Sequence, residues 1–254
     1  MIHHRPAGFS LIELAIVLFI VALLLGGLLP TVSSQIEQQR TNETRKQLDE
    51  IQQALIGYAI LNVRLPCPAS DTSNGIESFD PGGDASNGLC SNFYNGFVPA
   101  ATLGLSTGVD NQGRKGFAVD SWGNRIHYAV TAANTRAFTT TNYMSTYFLT
   151  LAPDLLMCST ATGITPLSCS IGNALTSNPG VPVVIFSTGK NGSYGGTGID
   201  EAANLDGTNA IPNKTFVSHT PTPISATNGE FDDIVIWVSP NILINRMVSA
   251  SKLP

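Results

Sequence analysis

One stretch of the sequence constrains the fold more than any other. Residues 9–29 read FSLIELAIVLFIVALLLGGLL, a run of 21 residues with a single charged side chain, Glu13. At about 1.5 Å per residue, a helix of this length crosses about 30 Å of hydrocarbon. The leader MIHHRPAG carries Arg5, and positive charge favours the cytoplasmic side of a membrane. The sequence therefore predicts one membrane-spanning helix, with the leader in the cytoplasm and the rest of the chain exported.

This stretch is not organised like an ordinary secretory signal. Such a signal has a shorter apolar region, and a cleavage site with small residues follows it. Here the small residues Ala7 and Gly8 precede the apolar run. Because cleavage after Gly8 would leave the apolar helix on the mature protein, we expect a permanent helix and not a signal peptide that is removed.

Glu13 is the unusual residue of the apolar run. A carboxylate inside an apolar helix costs about 2.5–3.5 kcal/mol on insertion scales. One interpretation is that Glu13 reaches the headgroups at the cytoplasmic end of the helix. The other is that it awaits a positive partner in the membrane, since an amino terminus freed at Phe9 would lie one helical turn away. A neighbouring subunit's amine would serve equally well.

The start of the chain is similar to the class III signal of type IV pilins and type II secretion pseudopilins. The resemblance covers about residues 5–62 and rests on a long apolar helix preceded by the motif Gly8-Phe9-Ser10-Leu11-Ile12-Glu13. It implies that a membrane peptidase cuts after Gly8 and methylates the new amino terminus, Phe9. It also implies that Glu13 is the assembly carboxylate. Pro30 lies where a proline in that family bends or locally melts the helix.

Beyond Pro30 the pattern becomes amphipathic. Apolar residues recur at steps of three and four, with charged and amide side chains between them, at Leu48, Ile51, Leu55 and Tyr58. Asn62 and the run Leu65-Pro66-Cys67-Pro68 end the helix, because proline disfavours a helical predecessor and lacks a backbone donor. We therefore predict four segments: a leader at 1–8, a transmembrane and assembly helix at 9–30, an amphipathic stalk helix at 31–62 and an exported head domain at 63–254.

The head has short apolar runs between turns rich in Gly, Asn and Ser, a pattern typical of strands. The predicted strands are residues 126–130, 147–151, 181–187 and 234–239, and a short helix is predicted within residues 240–253. The expected fold class is α+β and pilin-like. One long amino-terminal helix packs on an antiparallel sheet of about four to six strands with long loops.

Four cysteines lie in the predicted exported domain: Cys67, Cys90, Cys158 and Cys169. None forms a C-x-x-C pair and no histidine lies near one, so zinc spacing is absent. An even number of cysteines in an oxidising compartment indicates disulfides. The pairing Cys67–Cys90 and Cys158–Cys169 closes the shortest loops and is the one we expect. Reduced, buried thiols are the alternative.

Two pieces of the head resemble pseudopilin and minor pilin domains. The first is the turn and strand at residues 120–128, DSWGNRIHY. The second comprises FSTGKNG at 186–192, Gly195-Gly196 and FDDIV at 231–235. In the major pseudopilin this loop binds calcium, which makes Ca²⁺ a candidate ligand here.

The calcium loop departs from the family pattern in two ways. Asn191 stands where an acidic ligand is usual, and about 30 extra residues separate Gly196 from Asp232. The candidate ligands are carboxylates, which supply the hard oxygens that calcium prefers: Asp200, Asp206, Asp232 and Asp233. Solvated loop carboxylates are the alternative interpretation, and no other cofactor is indicated.

Composition and motifs narrow the classes of function. The net charge is −5 without a basic run, so we expect no nucleic acid partner. The sequence contains no G-x-S-x-G elbow and no P-loop spacing around Lys190. We therefore expect that the protein is not an enzyme. An exported enzyme tethered by its membrane anchor is kept as one further hypothesis, beside the two described next.

The leading hypothesis is a structural and assembly subunit, a pseudopilin or minor pilin of a type IV pilus or type II secretion system. The resemblance implies several partners: other pilin or pseudopilin subunits, the prepilin peptidase, an inner-membrane assembly platform and membrane lipid. It implies a single-pass inner-membrane location with a periplasmic head, and incorporation into a pilus or pseudopilus. The alternative is a pilus-tip adhesin or ligand-binding module on a pilin anchor.

Overall fold

The computed structural model describes residues 10–192 and 198–254. The chain forms two compact units, residues 1–42 and residues 43–254. Helix α1, Leu11–Asn62, begins in the first unit and ends in the second. The cleavage and methylation positions Gly8 and Phe9 lie outside the described residues.

The amino-terminal part of α1 is apolar and exposed. Every described side chain from Ser10 to Leu23 is exposed, and Leu11 reaches 88%. Among the residues that the structure describes, no helical stretch is both long and apolar enough to cross a membrane. The predicted span continues through residues 24–30, whose side chains lie outside that description. The helical backbone continues through Pro30.

The carboxyl-terminal part of α1 contributes to the core of the second unit. Leu48, Ile51 and Leu55 are at most 3% exposed and share one hydrophobic cluster with strand residues of the head. Their three- and four-residue spacing places them on one helical face. The helix ends at Asn62, whose Nδ2 donates to the Tyr58 carbonyl oxygen at 3.0 Å. The amphipathic stripe therefore marks the buried side of the helix.

Within residues 10–192 and 198–254, eight strands form three sheets. In chain order they are β1 (Gly96–Phe97), β2 (Gly108–Val109), β3 (Lys115–Phe117), β4 (His127–Val130), β5 (Leu156–Cys158), β6 (Val183–Ser187), β7 (Thr215–Val217) and β8 (Ile234–Val238). The main sheet has four strands in the order β1-β4-β6-β8, and all its pairs are antiparallel. Every residue of β6 is buried, as an apolar strand between two neighbours should be. The α+β class with an antiparallel sheet is confirmed.

The other two sheets have two strands each. β2 pairs with β3 antiparallel, whereas β5 pairs with β7 in parallel. The remaining helices are short: α2 (Ala100–Leu103), α3 (Ala133–Arg136), α4 (Tyr143–Thr146), α5 (Ile199–Asn204) and α6 (Pro240–Ser249). Helix α6 agrees with the predicted carboxyl-terminal helix, and it buries Leu243 and Met247.

One predicted strand is wrong. Residues 147–151 contain a 3₁₀ turn, Phe148–Thr150, in which the Thr150 amide donates to the Tyr147 carbonyl at 2.8 Å. Leu149 is 90% exposed. Among the strands that the structure describes, none pairs with this apolar run, and its backbone bonds go to the local turn and to the Asn134 side chain instead.

Both disulfides join cysteines that are near in sequence. Cys67 is bonded to Cys90, and Cys158 is bonded to Cys169. This is the pairing that closes the shortest loops. The first bridge is fully buried, with both cysteines at 0% exposure, so it belongs to the core as well as to the loop that it closes.

Candidate functional site

The described start of α1 shows how Glu13 is held in the single chain. The Ser10 amide donates to Glu13 Oε2 at 3.1 Å, and the Ile12 amide donates to Ser10 Oγ at 3.4 Å. Glu13 makes its half of the S-x-x-E capping box, whereas Ser10 Oγ accepts from the second helical amide and not from the third. The sequence analysis did not single out Ser10, although this spacing before an apolar run was a readable signal. Glu13 remains exposed, so its carboxylate is available to a further partner.

The head holds a second candidate site, a group of three carboxylates. Glu201, Asp232 and Asp233 each offer an oxygen, and these oxygens lie within 4.8 Å of one another. We call these three residues the carboxylate cluster. Glu201 and Asp233 are buried, and Asp232 is half-buried. Helix α5 supplies Glu201, and the segment leading into β8 supplies the two aspartates.

The sequence analysis named four carboxylates as candidate ligands, and the structure brings two of them together. Asp232 and Asp233 lie in the cluster. Asp206 is exposed after α5. Asp200 lies in a separate open groove of about 460 Å³, where its Oδ2 faces His219 Nε2 at 3.1 Å. Glu201 was missed, because nothing in the local sequence distinguishes it from its neighbour.

Both ring nitrogens of His219 face oxygen atoms of neighbouring residues. His219 Nδ1 faces the Thr220 carbonyl oxygen at 2.7 Å, while Nε2 faces Asp200. The ring also stacks on Phe231, with centroids 3.9 Å apart. A Ser-His-Asp relay needs one ring nitrogen free to take a proton from a nucleophile. Both nitrogens of His219 already face an acceptor, so this pair does not have that arrangement.

Each residue of the carboxylate cluster is held by donors around it. Glu201 accepts from Asn191 Nδ2 at 3.1 Å and from the Asp232 amide at 2.9 Å. Asp232 Oδ2 accepts from the Lys190 and Asn191 amides at 3.0 and 3.3 Å. Asp233 Oδ2 accepts from Asn204 Nδ2 at 2.7 Å. The three carboxylates are thus held in place by neighbouring amide donors.

Burial and mutual repulsion of the negative charges destabilise the fully ionised form of the cluster. Burial raises the pKa of Asp232 to about 6, and the negative charge of Glu201 adds to that rise. Burial also raises the pKa of Asp233 well above its usual value. Three neighbouring carboxylates therefore favour either a bound proton or a bound cation.

Unpaired oxygens give a direct test of whether a cation fits. Within the described residues, Asn191 Oδ1 and Asp232 Oδ1 are buried side-chain atoms without a hydrogen-bond partner. Buried oxygens normally have a partner. Carboxylate and amide oxygens are the ligands that calcium takes, usually six to eight of them. The chemistry of the site therefore fits a calcium ion, with Glu201, Asp232 and Asp233 as the side chains that would hold it.

Comparison with known proteins identifies only the start of the chain. Residues 3–29 match the family model described as the prokaryotic N-terminal methylation motif. No curated protein and no solved structure matches the chain. The matched segment contains Gly8, Phe9 and Glu13.

Proposed function

We propose, from the type IV pilin and pseudopilin leader signature that this chain carries, that it is a filament-assembly subunit, a pseudopilin or minor pilin of a type IV pilus or type II secretion system. The observation that carries the proposal is the methylation motif at residues 3–29 continuing into the 52-residue helix α1. A motif of this kind on a long helix suits a subunit that polymerises by helix packing. The partners are other pilin or pseudopilin subunits, the prepilin peptidase, an inner-membrane assembly platform and lipid.

Processing begins the pathway that we propose. The prepilin peptidase cuts after Gly8 and methylates Phe9. Arg5 keeps the leader in the cytoplasm, and the chain crosses the inner membrane once, with its head in the periplasm. The two disulfides support an oxidising compartment for the head.

Assembly places Glu13 in an apolar surrounding. Exposed apolar side chains surround it on α1, and neighbouring subunits bury them in the filament. A carboxylate removed from water needs an ionic partner, because desolvation otherwise costs several kcal/mol. The partner is the amine of Phe9, from the same or a neighbouring subunit. The capping bond from Ser10 holds the carboxylate at the start of the helix until that partner arrives.

In the second unit, we propose that the sheet packs against α1. Leu48, Ile51 and Leu55 share the core cluster with strand residues. Gln52 Nε2 donates to the Trp237 carbonyl oxygen of β8 at 2.9 Å. These contacts support a head built directly on the assembly helix.

The first experiment tests processing. Gly8→Phe should leave the precursor uncut on a gel when the peptidase is co-expressed, because the bulky residue blocks the cleavage position. Gly57→Ala is the control, since a Cβ there meets nothing within 4 Å. Mass spectrometry of the wild type should find a mature chain that begins with methylated Phe9. An intact leader on the wild-type chain would overturn the proposal.

The second experiment tests assembly through Glu13. Glu13→Gln should be inserted and cleaved, yet it should be lost from sheared filaments or pseudopili. Glu37→Gln on the same helix is the matched control. Normal incorporation of the Glu13 variant would show that the charge is not needed.

A second candidate function is a tip adhesin or ligand-binding module on the same anchor. The head carries exposed aliphatic side chains on its loops, with Leu149 at 90%, Leu167 at 63% and Ile171 at 103% exposure. No charged residue occurs between Asp154 and Lys190. Quantitative mass spectrometry of sheared filaments separates the two roles, since a tip subunit is scarce and a main subunit abundant.

We also propose that the carboxylate cluster binds calcium. Two observations support it, the three converging carboxylates and the unpaired oxygens of Asn191 and Asp232. Calcium should raise the melting temperature of the wild type at neutral pH, and a chelator should reverse this. Asp232→Asn should lose most of the response, while Asp49→Asn, on an exposed part of α1, should keep it. An unchanged wild-type melting temperature with and without chelator would count against calcium.

A further inference from the structure

One of the hydrogen-bonded connections between the carboxylate cluster and helix α1 runs through a turn. Residues 120–124 form this turn, and loop 187–192 lies between the turn and the cluster. The hydrogen bonds run from the cluster to the loop, from the loop to the turn and from the turn to the helix. Each contact joins segments that are distant in sequence.

At the cluster, the loop backbone is bonded to Asp232. Asp232 Oδ2 accepts the backbone amides of Lys190 and Asn191. Gly189 has φ +61, and a Cβ on it would lie 2.3 Å from Asp232 Oδ1 and 2.5 Å from the Asp232 carbonyl oxygen. The loop backbone therefore lies directly against the proposed calcium ligand.

Between loop and turn, the contacts are short and buried. Ser187 Oγ donates to Asp120 Oδ2 at 2.6 Å, and Asn124 Nδ2 donates to the Gly189 carbonyl oxygen at 2.6 Å. The other oxygen of Asp120 accepts the Trp122 and Asn124 amides at 2.9 and 2.8 Å. Asp120, Asn124 and Ser187 are all at most 8% exposed. A buried network of this kind loses several bonds together when one partner moves.

Between turn and helix, the contact is a hydroxyl. The Ser121 amide donates to Thr44 Oγ1 at 3.2 Å. Thr44 is 0% exposed, whereas its neighbours Glu43 and Arg45 are exposed. Thr44 also lies at the start of the second compact unit, which begins at residue 43. Thr44 is therefore a contact between α1 and the turn inside the second unit.

We infer that turn 120–124 couples the cation at the carboxylate cluster to the stability of α1 around Thr44. The inference rests on the proposed calcium binding. A cation fixes Glu201 and Asp232, and these fix the loop through Asn191 and Gly189. The loop then holds the turn, and the turn holds the Thr44 hydroxyl. Without the cation, the same bonds open more often and the helix around Thr44 opens with them.

Hydrogen exchange of the full-length chain in detergent tests the coupling. Calcium should slow amide exchange in peptides covering residues 40–50 by about threefold to tenfold, the effect of one net hydrogen bond. Thr44→Val removes the hydroxyl and should abolish this slowing. Thr41→Val is the matched control on the same helix, because Thr41 Oγ1 donates to the Glu37 carbonyl and makes no contact with the turn in the described bonds. Its response to calcium should equal that of the wild type.

Calorimetry of the same samples separates the two proposals. Thr44→Val should bind calcium with wild-type affinity, since it does not touch the cluster. Calcium binding with unchanged exchange in the wild-type helix would overturn the coupling alone. An undiminished response in Thr44→Val would overturn the route through Thr44. If the wild type bound no calcium, the calcium proposal would fall and the coupling with it.

Discussion

The Arg64 guanidinium and the Glu77 carboxylate form a bidentate ion pair where the chain leaves helix α1. Nη2 lies 2.6 Å from Oε1, and Nη1 lies 2.8 Å from Oε2. The two side chains are only 7% and 12% exposed. Glu77 Oε2 also accepts the Cys67 amide at 3.1 Å, so the pair joins the helix exit to the first disulfide.

Removing one partner of this pair should destabilise the head strongly. Glu77→Ala leaves a buried guanidinium without its counter-charge, which costs about 3–5 kcal/mol in comparable cases. Urea unfolding of the disulfide-intact chain measures the effect. The control is Glu50→Ala, whose ion pair with Lys46 is exposed and should change stability by less than about 0.5 kcal/mol. Similar losses in the two variants would contradict the structural role of the buried pair.

Calcium-free stability should fall as pH rises through the titration of Asp232. Its pKa is about 6 in the folded chain and about 3.9 when unfolded. Between these values the folded state binds more protons, so the free energy of unfolding decreases as pH increases. The favourable contribution is complete below about pH 4 and lost above about pH 6.

The size of that effect is about 1 kcal/mol, because solvent screens part of the interaction of this half-buried group. Thermal unfolding in chelator at several pH values should show the decrease in the wild type and a smaller one in Asp232→Asn. Asp49→Asn should follow the wild type. If the wild type and Asp232→Asn had parallel pH profiles, Asp232 would not be the titrating group.

Gly189→Ala should destabilise the chain more than the same change at Gly113. Both glycines have positive φ, +61 and +79, so both substitutions strain the backbone. Only at Gly189 does the added Cβ overlap with Asp232, whereas at Gly113 it meets nothing within 4 Å. We expect an additional loss of about 1–3 kcal/mol for Gly189→Ala, measured by urea unfolding in chelator. Equal losses would show that the loop relaxes around the new methyl group.

Loss of the first disulfide should cost more than loss of the second. The bridge Cys67–Cys90 spans 23 residues and Cys158–Cys169 spans 11, and chain entropy makes each worth about 3 kcal/mol, slightly more for the longer loop. Both cysteines of the first bridge are fully buried, whereas in the second bridge only Cys158 is, so the first pair of serine replacements places more hydroxyls in the core. Urea unfolding of the two double-serine variants measures both losses. A larger loss from the second pair would contradict this order.

Local patterns in the sequence were sufficient for several elements of the fold. The spacing of Leu48, Ile51 and Leu55 predicted the buried face of α1, and the apolar run 181–187 predicted the central strand β6. These patterns involve residues that are only a few positions apart. The spacing of the apolar residues indicates whether one face or both faces of the helix or strand are buried. The run at 147–151 had the composition of a strand, but no strand in the described part of the chain pairs with it. Whether a partner strand is present is information that the segment itself does not contain.

The same distinction between local sequence patterns and long-range contacts applies to the candidate sites. The sequence by itself determined the methylation motif around Gly8 and Glu13, because such a motif is a short linear segment whose residues are neighbours in the chain. It also indicated four aspartates of the head as cation ligands, and two of them, Asp232 and Asp233, lie in the carboxylate cluster. Only the tertiary structure decided that Glu201 joins Asp232 and Asp233, and that turn 120–124 reaches Thr44. Those contacts join residues that are tens of positions apart, and strand pairing and helix packing bring them together without any trace in the local sequence.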